Sequence, residues 1–536
     1  MIDCLIKKNV DFNLMFKIMK KEIKFYDTLC VPIIVFLLLT ITSCKEQIIE
    51  PNVAMSSVTE YYVSVSGNDY SSGTQTQPFR TINHALSVAG PGATIFVRQG
   101  TYVEKVNFTS SGTSGLPITL KSFPNEKATI SGCGLSVTGH EALMRLSSIS
   151  WINIEDLEIC DLRTSSGGNM VDGILINGAS SNITIKNCHI HNIENNASPS
   201  VGREGHAINV IGNSTLPITS ISIENNIIHD NNTGTSENLT INGYVSDFVV
   251  SGNQIYNGEN IAICIAGGYL GNSNPLYNYA RNGVIKENNI WNIDGRTGPV
   301  PTLQSIAGTI GIYIDGARYI TVEKNRVRDS DRGIGLVSEN NDFPTQYCIV
   351  RNNFIFCNRA EGILMGGYSG YTGGGTIGCI ITNNTLYENA RELGYYGEEV
   401  GEIRLNTNCS YNEIHNNIIY ARYDRGMFVR KNDSTGIFNG INYNLYYTTG
   451  SSTKWLWNGA VCNTFASWKG SSGGDSNSLF QNPQFLSLSP FSLNLSSSSP
   501  AINIGYNGHG ASAGLFDIDN QARYNGIIDI GADEFY

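Results

Sequence analysis

The sequence predicts an all-β solenoid, a parallel β-helix in which short strands stack coil upon coil. The first indication is a motif, apolar-x-x-Asn-x-apolar, that recurs from residue 223 to residue 419. The second is a run of alternating apolar residues after each copy, which is typical of a strand with one buried face. The third is the composition: 15% charged residues and 57 Gly favour short strands and turns over long helices.

The motif repeats at an interval that indicates one copy per coil. Two earlier copies, 154–159 and 185–190, carry Leu157 and Cys188 at the Asn position, and successive key positions are 27 to 38 residues apart. Such a period, with loops absorbing the variation, is characteristic of solenoids. The seven copies with Asn are 223–228, 250–255, 285–290, 322–327, 350–355, 381–386 and 414–419.

The asparagines are predicted to form a buried ladder. Equivalent residues of stacked parallel strands lie about 4.8 Å apart, so an inward amide can donate to one neighbour and accept from the other. An all-β sandwich would not place Asn in register in this way. The runs that predict the following strand of each coil are 174–176, 208–210, 239–241, 263–265, 312–314, 334–336, 363–365, 403–405 and 427–429.

The first 60 residues are predicted to lie outside the fold. A lysine-containing stretch precedes the short apolar run 31–39, and small residues lead to Cys44. This pattern predicts a secretory signal over residues 1–44. It resembles a lipobox, which implies lipidation of Cys44. Residues 45–60 would be a polar tether, and the protein would be exported and held to a membrane by its lipid alone. A plain membrane anchor is the alternative.

Charge and cysteine spacing exclude some functions. The formal net charge of −11 argues against nucleic-acid binding, which needs a basic face. The cysteines form no CxxC pair, which argues against a cysteine zinc site. Cys348 and Cys379 both precede a ladder Asn by five residues, so they should stack on neighbouring coils, either as a disulfide or as reduced thiols.

Both ends of the predicted solenoid resemble a known superfamily. The stretch 61–69 with 78–82 and 100–102 looks like the N-terminal coils of right-handed parallel β-helix proteins of carbohydrate metabolism, the pectate-lyase-like superfamily. The segments 482–486, 499–502 and 529–534 are similar to their C-terminal coils. The resemblance implies a β-helix over 61–440, with 441–536 as its C-terminal coils and cap. It leaves the activity open, because one fold hosts many functions.

A carboxylate pair is the candidate catalytic centre. Asp315 and Glu339 are 24 residues apart, close to one coil, and the predicted register stacks Asp315 over Val337. Their Cα atoms would then be roughly 8 Å apart, which allows the carboxyl separations of about 5 to 9.5 Å that glycosidases use. The pair resembles that of β-helical glycoside hydrolases, with retaining and inverting outcomes both open. Two solvated surface carboxylates are the alternative.

Other outward residues are candidates for substrate binding. Aligning the second strands gives polar and aromatic columns, the mixture that sugars need for hydroxyl contacts and ring stacking. A further set at the strand entrances, which includes Asp172, His206 and Glu361, could bind Ca²⁺ or hydrogen-bond the backbone. The candidate binding residues are Glu237, Asn242, Arg281, Tyr313, Tyr368, Glu402 and Arg404.

Three functions follow from this site. The leading hypothesis is a glycoside hydrolase that acts, as a monomer, on an oligo- or polysaccharide without an obligatory cofactor. The second is a polysaccharide lyase acting on uronate-containing glycans, for which Arg404, Arg430 and Tyr313 could supply the cation and base. The third is a glycan-binding surface protein without catalysis.

Overall fold

Three long parallel sheets run side by side through the protein and form a right-handed β-solenoid of about 13 turns. The computed structural model describes residues 59–198, 203–270, 272, 274–296, 307–368, 370, 373–394, 397–488, 492–508, 510–524 and 526–536. The predicted signal segment, Cys44 and most of the tether lie outside these residues. In the described ranges, no helix is both long and apolar enough to cross a membrane.

The first sheet contains the strand that precedes each ladder position. Its strands are Glu60–Val63, Thr94–Val97, Ile118–Ser122, Ser150–Glu155, Ser181–Lys186, Ile218–Glu224, Val245–Ser251, Arg281–Lys286, Thr321–Glu323, Ile349–Arg351, Ile380–Thr382, Glu413–His415 and Gly440–Asn442.

The second sheet follows directly after the ladder position. Its strands are Gly100–Tyr102, Ala128–Ser131, Leu157–Cys160, His189–His191, Ile227–His229, Gln254–Gly258, Asn289–Ile293, Arg326–Arg328, Phe354–Phe356, Thr385–Tyr387, Ile418–Tyr420, Leu445–Tyr447 and Leu479–Phe480.

The third sheet carries the candidate site on its outer face. Its strands are Val106–Asn107, His140–Ser147, Met170–Asn177, Glu204–Gly212, Leu239–Gly243, Ile263–Ala266, Ile310–Asp315, Arg332–Ser338, Ile363–Gly367, Ile403–Leu405, Met427–Lys431, Lys454–Trp457 and Ala460–Cys462, the last pairing antiparallel. Smaller sheets pair Arg163–Thr164 with Glu194–Asn195, Thr345–Gln346 with Thr376–Ile377 and Cys409–Ser410, and Phe485–Ser487 with Ser492–Leu495.

The ladder motif is a bend between two sheets rather than one strand. The residue before each ladder Asn adopts a left-handed conformation, for example Asn225, Asn352 and Asn383 with φ of 53° to 54°. Asn tolerates this conformation better than most residues because its short amide bonds locally. The first strand therefore turns sharply into the second, and each coil has three strands where the sequence analysis distinguished two runs.

The Asn ladder is formed as predicted and is longer than the sequence analysis proposed. The Oδ1 atom of Asn253 accepts the backbone N–H of Asn226 at 2.9 Å and its amide at 3.0 Å, and this pattern repeats down the stack. The ladder continues past the last predicted copy, 414–419, into the segment expected to form the C-terminal coils and cap. Asn444 accepts from Asn417 at 3.0 Å, and Ser478 Oγ then accepts the N–H of Asn444 at 2.8 Å.

Cys348 and Cys379 stack on neighbouring coils, as the spacing predicts. Both are buried free thiols, and the Sγ of Cys379 accepts the backbone N–H of Cys348 at 3.4 Å. The solenoid interior around them is filled by Ile, Val and Leu side chains from the inward positions of all three sheets. Of the two states considered from the sequence, the structure has the reduced pair.

Helices and aromatic residues close the two ends of this core. Near the N-terminus, helix α1 (Ile82–Val88) buries Ile82 and Leu86. Near the other end, helix α2 (Phe465–Ser472) buries Trp468, whose ring lies 6.1 Å from that of Trp455. The short helical turns Pro275–Tyr277 and Gly510–Ala513 complete the helical content of the described residues.

Candidate active site

A cavity of about 960 Å³ opens on the outer face of the third sheet. Outward residues of the strands from Glu204–Gly212 to Ile403–Leu405 form its floor, and the segments that enter and leave these strands form its walls. Because side chains alternate along a strand, each coil adds one or two residues to the lining. The lining combines carboxylates, arginines, amides and aromatic rings.

Asp315 is the buried acid of this cavity. It ends the strand Ile310–Asp315 and is only 4% exposed. The Tyr269 hydroxyl hydrogen-bonds Oδ2, and the backbone N–H of Glu339 donates to Oδ1 at 3.1 Å. Burial raises the pKa of Asp315 to about 7, and the charges of Glu339 and Glu237 act in the same direction. A substantial fraction of this carboxyl is therefore protonated at neutral pH.

Glu339 is the exposed partner of Asp315. The register pairs Asp315 with Val337, as predicted, so Glu339 follows two residues later on the adjacent coil. The Tyr313 hydroxyl donates to Glu339 Oε1 at 2.6 Å. Ser338 Oγ donates to the carbonyl of Phe343 at 2.7 Å and so shapes the turn that carries Glu339. The cavity thus holds a buried carboxyl beside an open one.

A third carboxylate, Glu237, is held by a buried histidine. His206 Nε2 lies 3.6 Å from Glu237 Oε2, and its Nδ1 lies 2.9 Å from Asp172 Oδ1. On its other side, Asp172 lies 2.5 Å from His140 Nε2. Burial alone would lower the pKa of His206, but the hydrogen bonds to Asp172 and Glu237 raise it to about 9. His206 is therefore a buried cation between two carboxylates.

At the other end of the cavity, arginines are paired with glutamates. Glu361 accepts from Arg332 Nε at 2.9 Å and from Arg404 at 2.8 Å. Arg404 also lies 2.6 Å from Glu398 and donates to Asn406 at 2.8 Å. Both guanidinium groups are mostly buried, and Glu361 is completely so. The positive charge at this end is consequently balanced by the protein itself.

The structure brings most of the predicted site residues together. Those that line the cavity are Asp315, Glu339, Glu237, Asn242, Tyr313, Tyr368 and Arg404.

Arg281 and Glu402 are not among the lining residues. Arg281 stacks on the rings of Tyr244 and Tyr279, at 4.8 and 4.3 Å, and anchors the long insertion before its strand. Glu402 is completely buried and accepts from Asn389 at 2.6 Å, and burial raises its pKa to about 8. The residues at the strand entrances therefore differ in their partners. Asp172 and Glu361 contact cationic side chains, whereas Glu402 contacts an amide.

The predicted position of Arg430 was wrong by two residues. The predicted runs 403–405 and 427–429 would align Arg430 with Asn406, but the structure pairs Arg430 with Arg404 and Val429 with Ile403. A slip of two residues preserves the alternation of buried and exposed side chains, so the apolar pattern could not detect it.

Tyr269 is the main site residue that sequence reasoning missed. It lies in the insertion between the strands Ile263–Ala266 and Arg281–Lys286, where no repeat fixes the register. The one available signal was Gly268 just before it. Gly268 has φ of +94°, and an added Cβ would lie 2.5 Å from the amide of Asn340. The chain thus requires glycine there to bring Tyr269 over Asp315.

Two family models match this sequence, and both describe right-handed β-helices. The model "Pel9A-like, right handed beta helix region" matches residues 61–236, and the model "Right handed beta helix region" matches residues 172–385. Together they extend from the first strand to the strand Thr385–Tyr387, which agrees with the three-sheet solenoid.

The chain is similar to two curated proteins. It is 32% identical over 442 residues to "Uncharacterized protein YwoF" of Bacillus subtilis (strain 168), a match that covers 82% of this chain and 91% of YwoF. It is 36% identical over 75 residues to pectate lyase PEL9 of Emericella nidulans, which is 14% of this chain and 18% of that enzyme.

Among solved structures, the GH136 lacto-N-biosidase from Eubacterium ramulus is similar in fold. It superposes with a TM-score of 0.47 at 14% identity, over 73% of this chain. This chain spans 64% of that enzyme's length.

Proposed function

This chain belongs to the pectate-lyase-like right-handed β-helix proteins, in one family with YwoF of Bacillus subtilis, and we propose that it is a carbohydrate-active glycoside hydrolase. The observation that carries the proposal is the pairing of buried Asp315 with exposed Glu339 in one cavity. The short match to pectate lyase PEL9 supports a carbohydrate substrate but not hydrolysis in particular.

The two carboxyl groups differ in the way that glycoside hydrolysis requires. An acid must protonate the oxygen of the leaving sugar while a carboxylate attacks the anomeric carbon or activates a water. In the structure both oxygens of Asp315 accept, Oδ1 from the N–H of Glu339 and Oδ2 from the Tyr269 hydroxyl, and the raised pKa of about 7 lets this carboxyl hold the proton that an acid must donate. Asp315 is therefore assigned as the general acid, and Glu339 as the nucleophile or base.

The rest of the cavity supplies binding groups for a sugar chain. Tyr368 offers ring surface, and Asn242 and Glu237 offer hydrogen bonds to hydroxyls. The cavity extends over several coils, which gives room for more than one sugar ring.

A polysaccharide lyase is the second candidate, because Arg404 and Tyr313 of the lyase hypothesis line the same cavity together with Arg332, although Arg430 is not among the lining residues. A lyase needs positive charge to neutralise the uronate carboxylate of its substrate. Arg332 and Arg404 are already paired with Glu361, which reduces the charge available to such a substrate. Hydrolysis is therefore the function that the geometry supports better.

We also propose that the protein is exported and anchored to a membrane by a lipid on Cys44. The apolar run 31–39 followed by Cys44 supports this. A glycan-degrading enzyme would meet its polymeric substrate outside the cytoplasm. Replacing Cys44 with Ala and following the protein between membrane and soluble fractions tests this point, and an unchanged membrane fraction would contradict it.

The decisive experiment is a screen of plant and host glycans, with product analysis. Hydrolysis releases new reducing ends and saturated products, whereas a lyase creates an unsaturated uronate that absorbs in the ultraviolet. On the substrate found, Asp315→Asn and Glu339→Gln should each lower kcat by about 10²- to 10⁴-fold. Asp342→Asn is the matched control, since Asp342 is exposed and does not line the cavity.

The outcomes separate the three functions. Unchanged turnover in both cavity variants would overturn the assignment of the carboxylate pair. Unsaturated products would replace the hydrolase with a lyase, and binding without any product would leave a glycan-binding protein. The anomeric configuration of the first product then distinguishes a retaining from an inverting reaction.

A further inference from the structure

A cluster of metal-binding side chains lies on the outer face of the second sheet, away from the cavity. Glu158 is paired with His189 of the neighbouring strand, and His191 lies two residues after His189 on that strand. One donor atom from each of these three side chains lies within 4.8 Å of the other two. We propose that Glu158, His189 and His191 bind a divalent transition-metal ion, with zinc as the reference ion.

The distances between the donor atoms agree with tetrahedral coordination. Glu158 Oε1 lies 3.2 Å from His191 Nε2 and 3.8 Å from His189 Nδ1. Zinc bonds of about 2.0 to 2.2 Å place tetrahedral ligands roughly 3.4 Å apart. Side-chain movements of a few tenths of an ångström would therefore bring the three donor atoms to the separations of a tetrahedral site. Two imidazoles and one carboxylate form a common zinc donor set, with the fourth position open to solvent.

Hydrogen bonds behind His189 orient its lone pair toward the proposed ion. Asp230 Oδ2 lies 2.5 Å from His229 Nδ1, and His229 Nε2 lies 2.6 Å from His189 Nε2. An ionised Asp230 can only accept, so His229 carries its proton on Nδ1 and accepts on Nε2. His189 then donates from Nε2, which leaves its Nδ1 lone pair facing the Glu158 carboxylate. Metal-binding histidines are commonly oriented by such outer hydrogen bonds.

Lys127 is the competitor for this position. Its Nζ lies 2.6 Å from Glu158 Oε1, the same oxygen that faces the two histidines. The Lys127 side chain is 68% exposed, so it can move into solvent when a metal ion enters. The alternative to a metal site is therefore a permanent Lys127–Glu158 ion pair with His191 as a hydrogen-bond donor.

Zinc titration of chelator-treated, tag-free protein tests the proposal by calorimetry and thermal unfolding. We expect one zinc ion per chain and a rise in Tm, since an ion that binds the folded state stabilises it. Glu158→Gln and His191→Ala should abolish both effects. His84→Ala is the control, because His84 lies against Phe79 and outside the cluster.

Two further variants keep the test independent of folding defects. Asp230→Asn should weaken zinc binding by about 10- to 100-fold, as the loss of an orienting hydrogen bond does. Lys127→Met should tighten it, because the competing ammonium is gone. The proposal is overturned if the wild-type protein binds no zinc, or if Glu158→Gln and His191→Ala bind it as the His84→Ala variant does. Glycan turnover is a separate readout, because none of the three ligands lines the cavity.

Discussion

Asp315 retains its proton at a cost in stability. Its pKa of about 7 in the folded protein lies above the value of about 3.9 for an unfolded chain. Between these pH values the folded protein holds a proton that the unfolded chain has released. The free energy of unfolding therefore falls as the pH rises through this window, by up to about 4 kcal/mol for a shift of this size.

The Asp315→Asn variant should accordingly be more stable than the wild type at pH 8, while it loses turnover. The neutral amide avoids the cost of burying a charge, so its advantage in Tm should shrink toward pH 4. Calorimetric melts of both proteins across this range measure the difference, with Asp342→Asn as the exposed control. An equal Tm difference at pH 4 and pH 8 would contradict the assignment of Asp315 as the buried acid.

His206 should lower stability in the same direction of pH as Asp315, but in a higher pH window. Its pKa is raised to about 9, so its contribution to stability is fully present below about pH 6.5 and is lost as the pH rises through 9. Asp172, Glu237 and Asn209 face the ring. His206→Gln should therefore lower Tm strongly at pH 6 and weakly at pH 10. A Tm difference that stays constant between these pH values would show that His206 acts through packing alone.

The sequence predicts the positions of those candidate site residues whose register is fixed by the repeat. It does not predict side-chain directions that depend on packing in the folded protein. Asp315 and Glu339 could be predicted because the coil spacing fixes their register. Glu402 lies at a strand entrance, as Glu361 does, yet its side chain bonds the amide of Asn389 in the protein interior, whereas Glu361 meets two arginines. No periodicity in the sequence distinguishes these two directions, because the choice depends on which neighbour is available in the folded state.

At the scale of the element, the ladder joins the coils through buried amides. Asn353 Oδ1 accepts the backbone N–H of Asn325 at 2.9 Å and its amide at 3.0 Å. Asn353 in turn donates to Asn384 at 2.9 Å and to the carbonyl of Val322 at 3.0 Å. Each member therefore connects two other coils, and the in-register repeat of Asn made this element predictable from the sequence.

Asn353→Ala should lower the free energy of unfolding by roughly 3 to 5 kcal/mol. The change leaves the backbone N–H of Asn325 buried without an acceptor and removes the amide that bonds Asn384 and the carbonyl of Val322, and each buried group left unsatisfied costs about 1 to 3 kcal/mol. Asn282→Ala is the control at an exposed asparagine. Because Asn282 has φ of 54°, alanine there costs about 1 to 2 kcal/mol of backbone strain, which Asn353→Ala does not add. Urea unfolding compares the two variants, and equal losses would argue against a structural role for the ladder.

At the scale of the whole molecule, the C-terminal segment packs along the outside of the solenoid. Residues 441–536 are expected from the sequence to form further coils and a cap, and coils continue to the strand Leu479–Phe480. Beyond it, backbone carbonyls of the tail accept from the left-handed asparagines: Asn352 donates to Ala513 at 2.8 Å, Asn383 to Asp529 at 2.9 Å and Asn416 to Tyr506 at 3.1 Å. Sequence periodicity could not reveal this contact, since it joins residues about 90 to 160 positions apart.

Arg523 fixes the tail to the solenoid. Its guanidinium is fully buried, donates to Glu534 at 3.0 Å and to Asn352 at 2.7 Å, and joins the tail to the bend of the ladder. Arg523→Met should lower the free energy of unfolding by about 3 to 5 kcal/mol, because the Glu534 carboxylate would lose its buried partner.

Arg326 provides the matched control for this prediction. It contacts the same tail through Asp519 at 3.1 Å, but its side chain is 42% exposed, so Arg326→Met should cost less than about 1 kcal/mol. Unfolding in urea gives both values, and limited proteolysis should cleave the tail first in the Arg523 variant. If the two variants lost the same small amount of stability and the tail stayed protected, the tail would be held by its apolar contacts with Phe354, Tyr387 and Tyr420 instead.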